Sequence, residues 1–165
     1  MVKKRILFIL LLLIFGACAS VKREYCIVGN SFSISLSGNA FTRVNYKKTM
    51  DSLINYSNIN FNEKSNYQID LNVNTQLRTS IISMNDDVES QNVIFNVKYN
   101  IFDKKNNILI DSGKFIIVEN FEIADDRFAN FATDNYLFEN FAKNLSIRLE
   151  NIVERLLAGS KCKKN

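Results

Sequence analysis

Between Phe128 and Leu156 the chain keeps a strict three-four spacing through Phe128, Phe131, Asn135, Phe138, Ala142, Leu145, Leu149, Ile152 and Leu156. That spacing belongs to one flank of a long helix, and a flank apolar at eight of these nine positions must be covered by other apolar surface. Whatever precedes it has to supply a matching face. Thr133 or Asp134 is placed to cap the regular part, Glu139 and Lys143 are spaced for an i,i+4 ion pair, and Gly159 supplies the stop. Phe128, Phe131 and Phe138 fall on the seam and are expected in the core, whereas Phe141 falls off it.

The matching face comes from period-two segments. Phe32, Ile34 and Leu36 alternate with Ser31, Ser33, Ser35 and Ser37, and Ser37-Gly38-Asn39 breaks the strand. Residues 41–57 carry Tyr46, Met50, Leu53 and Ile54 on one helical face. Three strands follow. Tyr67, Ile69, Leu71, Val73 and Leu77 share one face, and Val93, Phe95, Val97, Tyr99 and Ile101 repeat the pattern. Asp103-Lys104-Lys105-Asn106-Asn107 is turn chemistry and makes a hairpin with a strand starting at Ile108, in which Ser112-Gly113 marks a bulge or a close backbone approach. The expected architecture is α+β: a two-layer sandwich in the order β-α-β-β-β-α, with a four-stranded, mostly antiparallel sheet and two helices on one face. The other face is mostly Asn, Gln, Ser and Lys, and therefore solvated or polar-facing. No repeat or linker divides it.

Composition narrows the chemistry. The chain has no histidine, which removes the Ser-His, Cys-His and zinc-histidine sites of many hydrolases, and it has no Gly-x-Ser-x-Gly elbow. No catalytic residue, metal site or cofactor is expected, and the protein reads as a non-enzyme. Asp86, Asp87 and Glu89 lack the glycine and ligand count of a calcium loop and read as a solvated turn.

The N-terminus determines where such a domain works. Lys3, Lys4 and Arg5 precede an apolar run, Ile6 to Phe15, which is too short to span a bilayer core that needs roughly 20 residues. Phe15-Gly16-Ala17-Cys18 then resembles the lipobox of bacterial lipoproteins, with Phe15 where leucine is usual. The resemblance implies cleavage before Cys18, acylation of that residue, and, with Ala19 and Ser20 following, export to the outer membrane. Expected boundaries are 1–17 for the signal peptide, 18–30 for the lipidated N-terminus and tether, 31–160 for the domain and 161–165 for a basic, solvated tail. Three of the 21 basic residues and none of the 17 acidic ones lie in the leader. The remainder is therefore close to neutral, with no footprint for nucleic acid. Cys26 and Cys162 remain once Cys18 is acylated. Free thiols are the default expectation, and the alternative in an oxidising periplasm is a bridge tying the anchor segment to the last helix.

Two ordered segments carry a further resemblance. The first runs from Tyr67-Gln68-Ile69-Asp70-Leu71 through Asn100-Ile101-Phe102-Asp103 to Leu109-Ile110-Asp111-Ser112-Gly113. The second runs from Asp126-Arg127-Phe128-Ala129 through Ala142-Lys143-Asn144-Leu145 to Ile152-Val153-Glu154-Arg155-Leu156. Over roughly residues 67–158 this series resembles the LptE family of lipopolysaccharide-assembly lipoproteins. The resemblance implies an outer-membrane lipoprotein on the periplasmic side that plugs an LptD-type β-barrel, supports its assembly and assists lipopolysaccharide transport to the outer leaflet. Two departures stand out. Ala19-Ser20-Val21-Lys22 replaces the family's usual Gly-aromatic-Pro-Leu start, and the hairpin tip credited with meeting lipid A phosphates is here Asn85-Asp86-Asp87-Val88-Glu89, which is acidic. Arg78, Lys98 and Arg127 are the remaining candidate cations. An auxiliary lipoprotein of an ABC-type lipid transport system is the alternative, since such proteins also often start Cys-Ala-Ser, as Cys18-Ala19-Ser20 does here.

Overall fold

The computed structural model describes residue 27 and residues 31–82, 89–123 and 127–160, with 78–82, 89–91, 121–123 and 127–135 as backbone only. β1 (Ser31–Ser37) turns Phe32 and Leu36 into the core and its serines away from it. It runs parallel to β3 (Tyr67–Ile82), in register from Ser33↔Gln68 to Ser37↔Asn72. Parallel neighbours need a crossover instead of a hairpin, and α1 (Arg43–Tyr56) provides it. At the break after β1, Gly38 has φ 120° and a Cβ there would sit 1.9 Å from the Val73 carbonyl oxygen. Only glycine can make that turn.

The sheet has five strands rather than the expected four, in the order β2-β1-β3-β4-β5. The extra strand, β2 (Asn60–Phe61), pairs parallel with β1 through Ser31↔Asn60 and Phe32↔Phe61. Two residues leave no alternation for a sequence pattern to display. The remaining strands, β4 (Glu89–Asp103) and β5 (Ile108–Ile123), form an antiparallel meander with β3. The expected β4–β5 turn is present, with Asp103 accepting the Asn106 N–H at 3.1 Å and Asn107 at φ 51°.

Both helices cover one sheet face. α1 is capped by Thr42, whose hydroxyl accepts the Asn45 N–H at 3.3 Å. It buries Thr49 and Leu53, while Tyr46 and Ile54 of the expected stripe stay 39% and 46% exposed. Its covered flank is a single narrow row, so residues at the stripe's margins remain in solvent.

α2 (Arg127–Gly159) has 33 residues and is about 50 Å long. It starts at Arg127, so Thr133 and Asp134 lie inside it and do not cap it. Glu139 accepts the Tyr56 hydroxyl of α1 at 2.6 Å. The off-seam reading of Phe141 is overturned: this ring is fully buried and stacks on Phe95 of β4, with centroids 4.1 Å apart and planes at 19°. α2 packs on both α1 and the sheet, so its covered flank is wider than one three-four seam, and Leu137 and Val153 are buried with it.

Removing either partner of the stack leaves a ring-sized void in close-packed surroundings. Phe141→Ala and Phe95→Ala are each expected to lose about 3–5 kcal/mol in urea denaturation. Ile147→Ala, at a position 48% exposed on the same helix, is expected to lose well under half of that.

Candidate functional site

The face opposite the helices is polar where β1 and β3 form it, and its side chains satisfy one another. Gln68 donates to Asp70 at 2.5 Å, Asn74 to Asn72 at 2.8 Å, and Asn72 to the Ser37 hydroxyl at 3.2 Å. Lys98 of β4 is exposed on this face, in register between Asn72 of β3 and Lys114 of β5. Lys98 and Lys114 are thus like charges directly across a ladder, a pairing that disfavours the bare sheet.

Toward the free edge the same face changes character. Ile94 stands opposite Val118 and Asn96 opposite Ile116, and Ile116 and Val118 are 57% and 54% exposed. Among the described elements β5 has no neighbour on its outer side. Between this edge and α2 lie two shallow clefts of about 380 and 340 Å³ that share Arg148 and Asn151. The first takes in Ile116, Val118 and Ile147, and the second Lys114, Phe115 and Arg155.

A polar clasp closes one end of this groove. Tyr99 donates its hydroxyl to Asp111 at 3.2 Å, and Arg155 of α2 reaches the same carboxylate at 3.3 Å and the Tyr99 oxygen at 3.5 Å. The Tyr99 ring lies over Gly113, its cross-strand partner, where a Cβ would come within 2.7 Å of the ring. The close approach expected at Ser112-Gly113 is therefore real. The bulge lies just before it, as the β4–β5 register shifts between Ile101 and Phe102. Burial, followed by the charge of Asp111, pushes the Tyr99 phenol above its ordinary value of 10.0. Among the described residues no three His, Cys, Asp or Glu side chains gather where a metal could sit. None of their helices is long and apolar enough to cross a membrane. What this side of the molecule presents is a hydrogen-bonded polar face, two lysines and an open strand edge.

Of the cations singled out from the sequence, Lys98 and Arg78 stand apart. Lys98 is exposed mid-sheet, while Arg78 lies in register with Asn92, six residues along β4 and so roughly 20 Å away. Arg127 opens α2, and its side chain, like that of Arg78, is outside the described atoms. Cys18, Cys26, Cys162 and the acidic tip at 85–88 lie outside the described residues. Sequence reasoning missed Lys114, Arg148 and Arg155 as groove residues. The available signal was Ile116-Ile117-Val118, an apolar run that breaks period two and places hydrophobic side chains on both faces of a strand.

Comparison with solved structures finds the same α+β architecture in other proteins. No protein-family model matches the chain, and no curated protein matches it in sequence. A protein described as a lipoprotein from Caulobacter crescentus CB15 superposes with a TM-score of 0.58 at 17% identity, covering 80% of this chain and 93% of its own. A Xanthomonas campestris protein gives 0.50 at 10% identity, covering 83% and 92%. A lipoprotein B from Nitrosomonas europaea superposes more loosely, at 0.49 and 13% identity over 81% and 88%. At these identities the shared property is the fold.

Two outcomes test the clasp. Gly113→Ala has to displace a ring held by Asp111 and Arg155, and is expected to cost about 1–3 kcal/mol in urea denaturation. Because Tyr99 ionises less readily folded than unfolded, its contribution is full below about pH 10 and is lost as pH rises through the higher folded value. Tyr56 is shifted the same way by its bond to Glu139. Stability of a Tyr56→Phe protein is therefore expected to fall as pH rises above about 10, and the Tyr56→Phe/Tyr99→Phe protein to fall less.

Proposed function

We propose that the protein is a lipoprotein anchored through acyl chains on Cys18 to the periplasmic side of the outer membrane. There it seats in the lumen of an LptD-type β-barrel, supports the barrel's assembly and assists passage of lipopolysaccharide to the outer leaflet. It makes and breaks no bond.

The observation that carries this reading is the sheet's outer face. Its Ser, Asn, Gln and Asp side chains are bonded to one another, so pressing them against the polar wall of a barrel strands few donors or acceptors. Lys98 and Lys114 are the cations that face offers to lipid A phosphates, with Arg78 and Arg127 retained as outlying candidates. The apolar strip of Ile116 and Val118 at the open edge is where barrel wall would exclude water. The ordered LptE-like segments in the sequence point to the same partner.

Affinity capture of the tagged, full-length lipoprotein from detergent-solubilised outer membranes, read by mass spectrometry, is expected to recover a near-stoichiometric barrel of the LptD type. An Ile116→Asp/Val118→Asp variant is expected to cut that recovery at least about tenfold, equivalent to roughly 1.4 kcal/mol, with its melting temperature little changed. Recovery of ABC-transporter components and no barrel would sink this reading in favour of the auxiliary-lipoprotein alternative that Cys18-Ala19-Ser20 also fits.

A further inference from the structure

β5 ends the sheet with its backbone open. Alternate residues of an antiparallel strand turn both N–H and C=O away from the neighbour they pair with. The groups that β5 turns away from β4 meet no strand among the described elements. From Phe115 to Val118 this open backbone runs beside α2, and the cleft between them takes in Ile116 and Val118 from the strand and Ile147 and Arg148 from the helix.

Charge gives the edge a direction. Lys114 is in register with Lys98 on the outer face, and Arg148 lines the same cleft as Lys114. Among the described residues none of these three cations has a hydrogen bond or an ion pair, whereas Arg155 is held by Asp111. At the other end stands a carboxylate, Glu119, which accepts from Asn144 at 2.6 Å. The edge is therefore cationic at Lys114, apolar in the middle and anionic at Glu119.

We infer that β5 accepts a sixth strand, an extended segment of a partner protein with apolar residues opposite Ile116 and Val118 and a carboxylate opposite Lys114. Lys98 and Lys114 repel across the ladder, and a carboxylate in the next place of the same row relieves that repulsion. Glu119 disfavours an acid at the far end, so the segment lies in one direction only. A lipid surface also suits apolar side chains beside cations, but hydrocarbon leaves the open backbone groups without partners, and an added strand pairs them. The inference deepens the barrel reading, on which the partner's identity rests, by giving the form and charge of the contacting segment. With Lys114 engaged, Lys98 is the cation left on the open face.

The test replaces Ile116, and in a second protein Val118, with the photo-reactive p-benzoylphenylalanine in the full-length lipoprotein. Outer membranes are irradiated and solubilised, the tagged protein is captured, and cross-linked peptides are mapped by mass. The expected product is one segment of the barrel chain, with the attachment point moving by about two residues between the probes, as side chains on one face of a strand recur. Lys114→Glu is expected to lower recovery of that product at least about tenfold. The melting temperature of the purified chain is expected to hold or rise by roughly 1–4 °C, because repulsion from Lys98 becomes attraction. Attachment to scattered strands of the barrel wall, or none although the barrel is captured, overturns the added strand and leaves the barrel reading standing. Attachment to a second copy of this chain, or to lipid alone, also overturns it. The same two-residue step along an acidic segment of another protein, with no barrel captured, supports the added strand and places the failure on the barrel reading.

Discussion

The stacking of Phe141 on Phe95 is the contact on which the rest of the domain depends. A helix of about 50 Å can lie on a twisted sheet in many registers, because rows of leucine and isoleucine tolerate sliding. Two flat rings at 4.1 Å do not. They fix α2 against the middle of β4, and Phe138 meets the same Phe95 ring edge-on at 6.0 Å. With α2 seated there, Glu139 reaches Tyr56 and Glu150 reaches the Asn58 N–H, so α1 and the chain beyond it are positioned from α2. Arg155, four turns on, is brought over Asp111 and Tyr99.

Placing β1 parallel beside β3 has the second large consequence. A meander of β3, β4 and β5 has two open edges, and the crossover through α1 covers the β3 edge with β1 from Gln68 to Asn72. That leaves β5, the longest uncovered run of strand among the described residues, as the other boundary of the sheet. Its exposure follows from topology, so no side-chain choice within β5 alone could remove it.

The sequence showed what is periodic and hid what depends on packing against two neighbours. β3, β4, β5 and the C-terminal helix were legible because their side chains alternate or repeat against a single face, and the Gly159 stop and the Asp103–Asn107 turn carry local chemistry. Phe141 was misread because a three-four seam assumes one covering surface, while α2 has two. β2 was missed because two residues have no period. In the candidate site, Lys98 could be found as a lone charge on a polar strand. Its pairing with Lys114 depends on a β4–β5 register displaced by a bulge, and no count of residues from the turn yields it without knowing where the bulge falls.

The edge defences along β5 leave one short stretch without a charge. Long strands at sheet boundaries are normally protected by bulges, lysines and glycine-associated twists that discourage another chain from pairing. β5 has all three, but they lie together: the bulge opposite Ile101 and Phe102, then Gly113, then Lys114. From Phe115 to Val118 there is no charge, no bulge and no glycine, and Ile116 and Val118 stay in solvent beside Arg148 of α2. Protection is thinnest between Lys114 and Glu119, the inward-facing carboxylate that accepts from Asn144 of α2 at 2.6 Å, so the stretch of edge without a charge is four residues long and bounded on both sides.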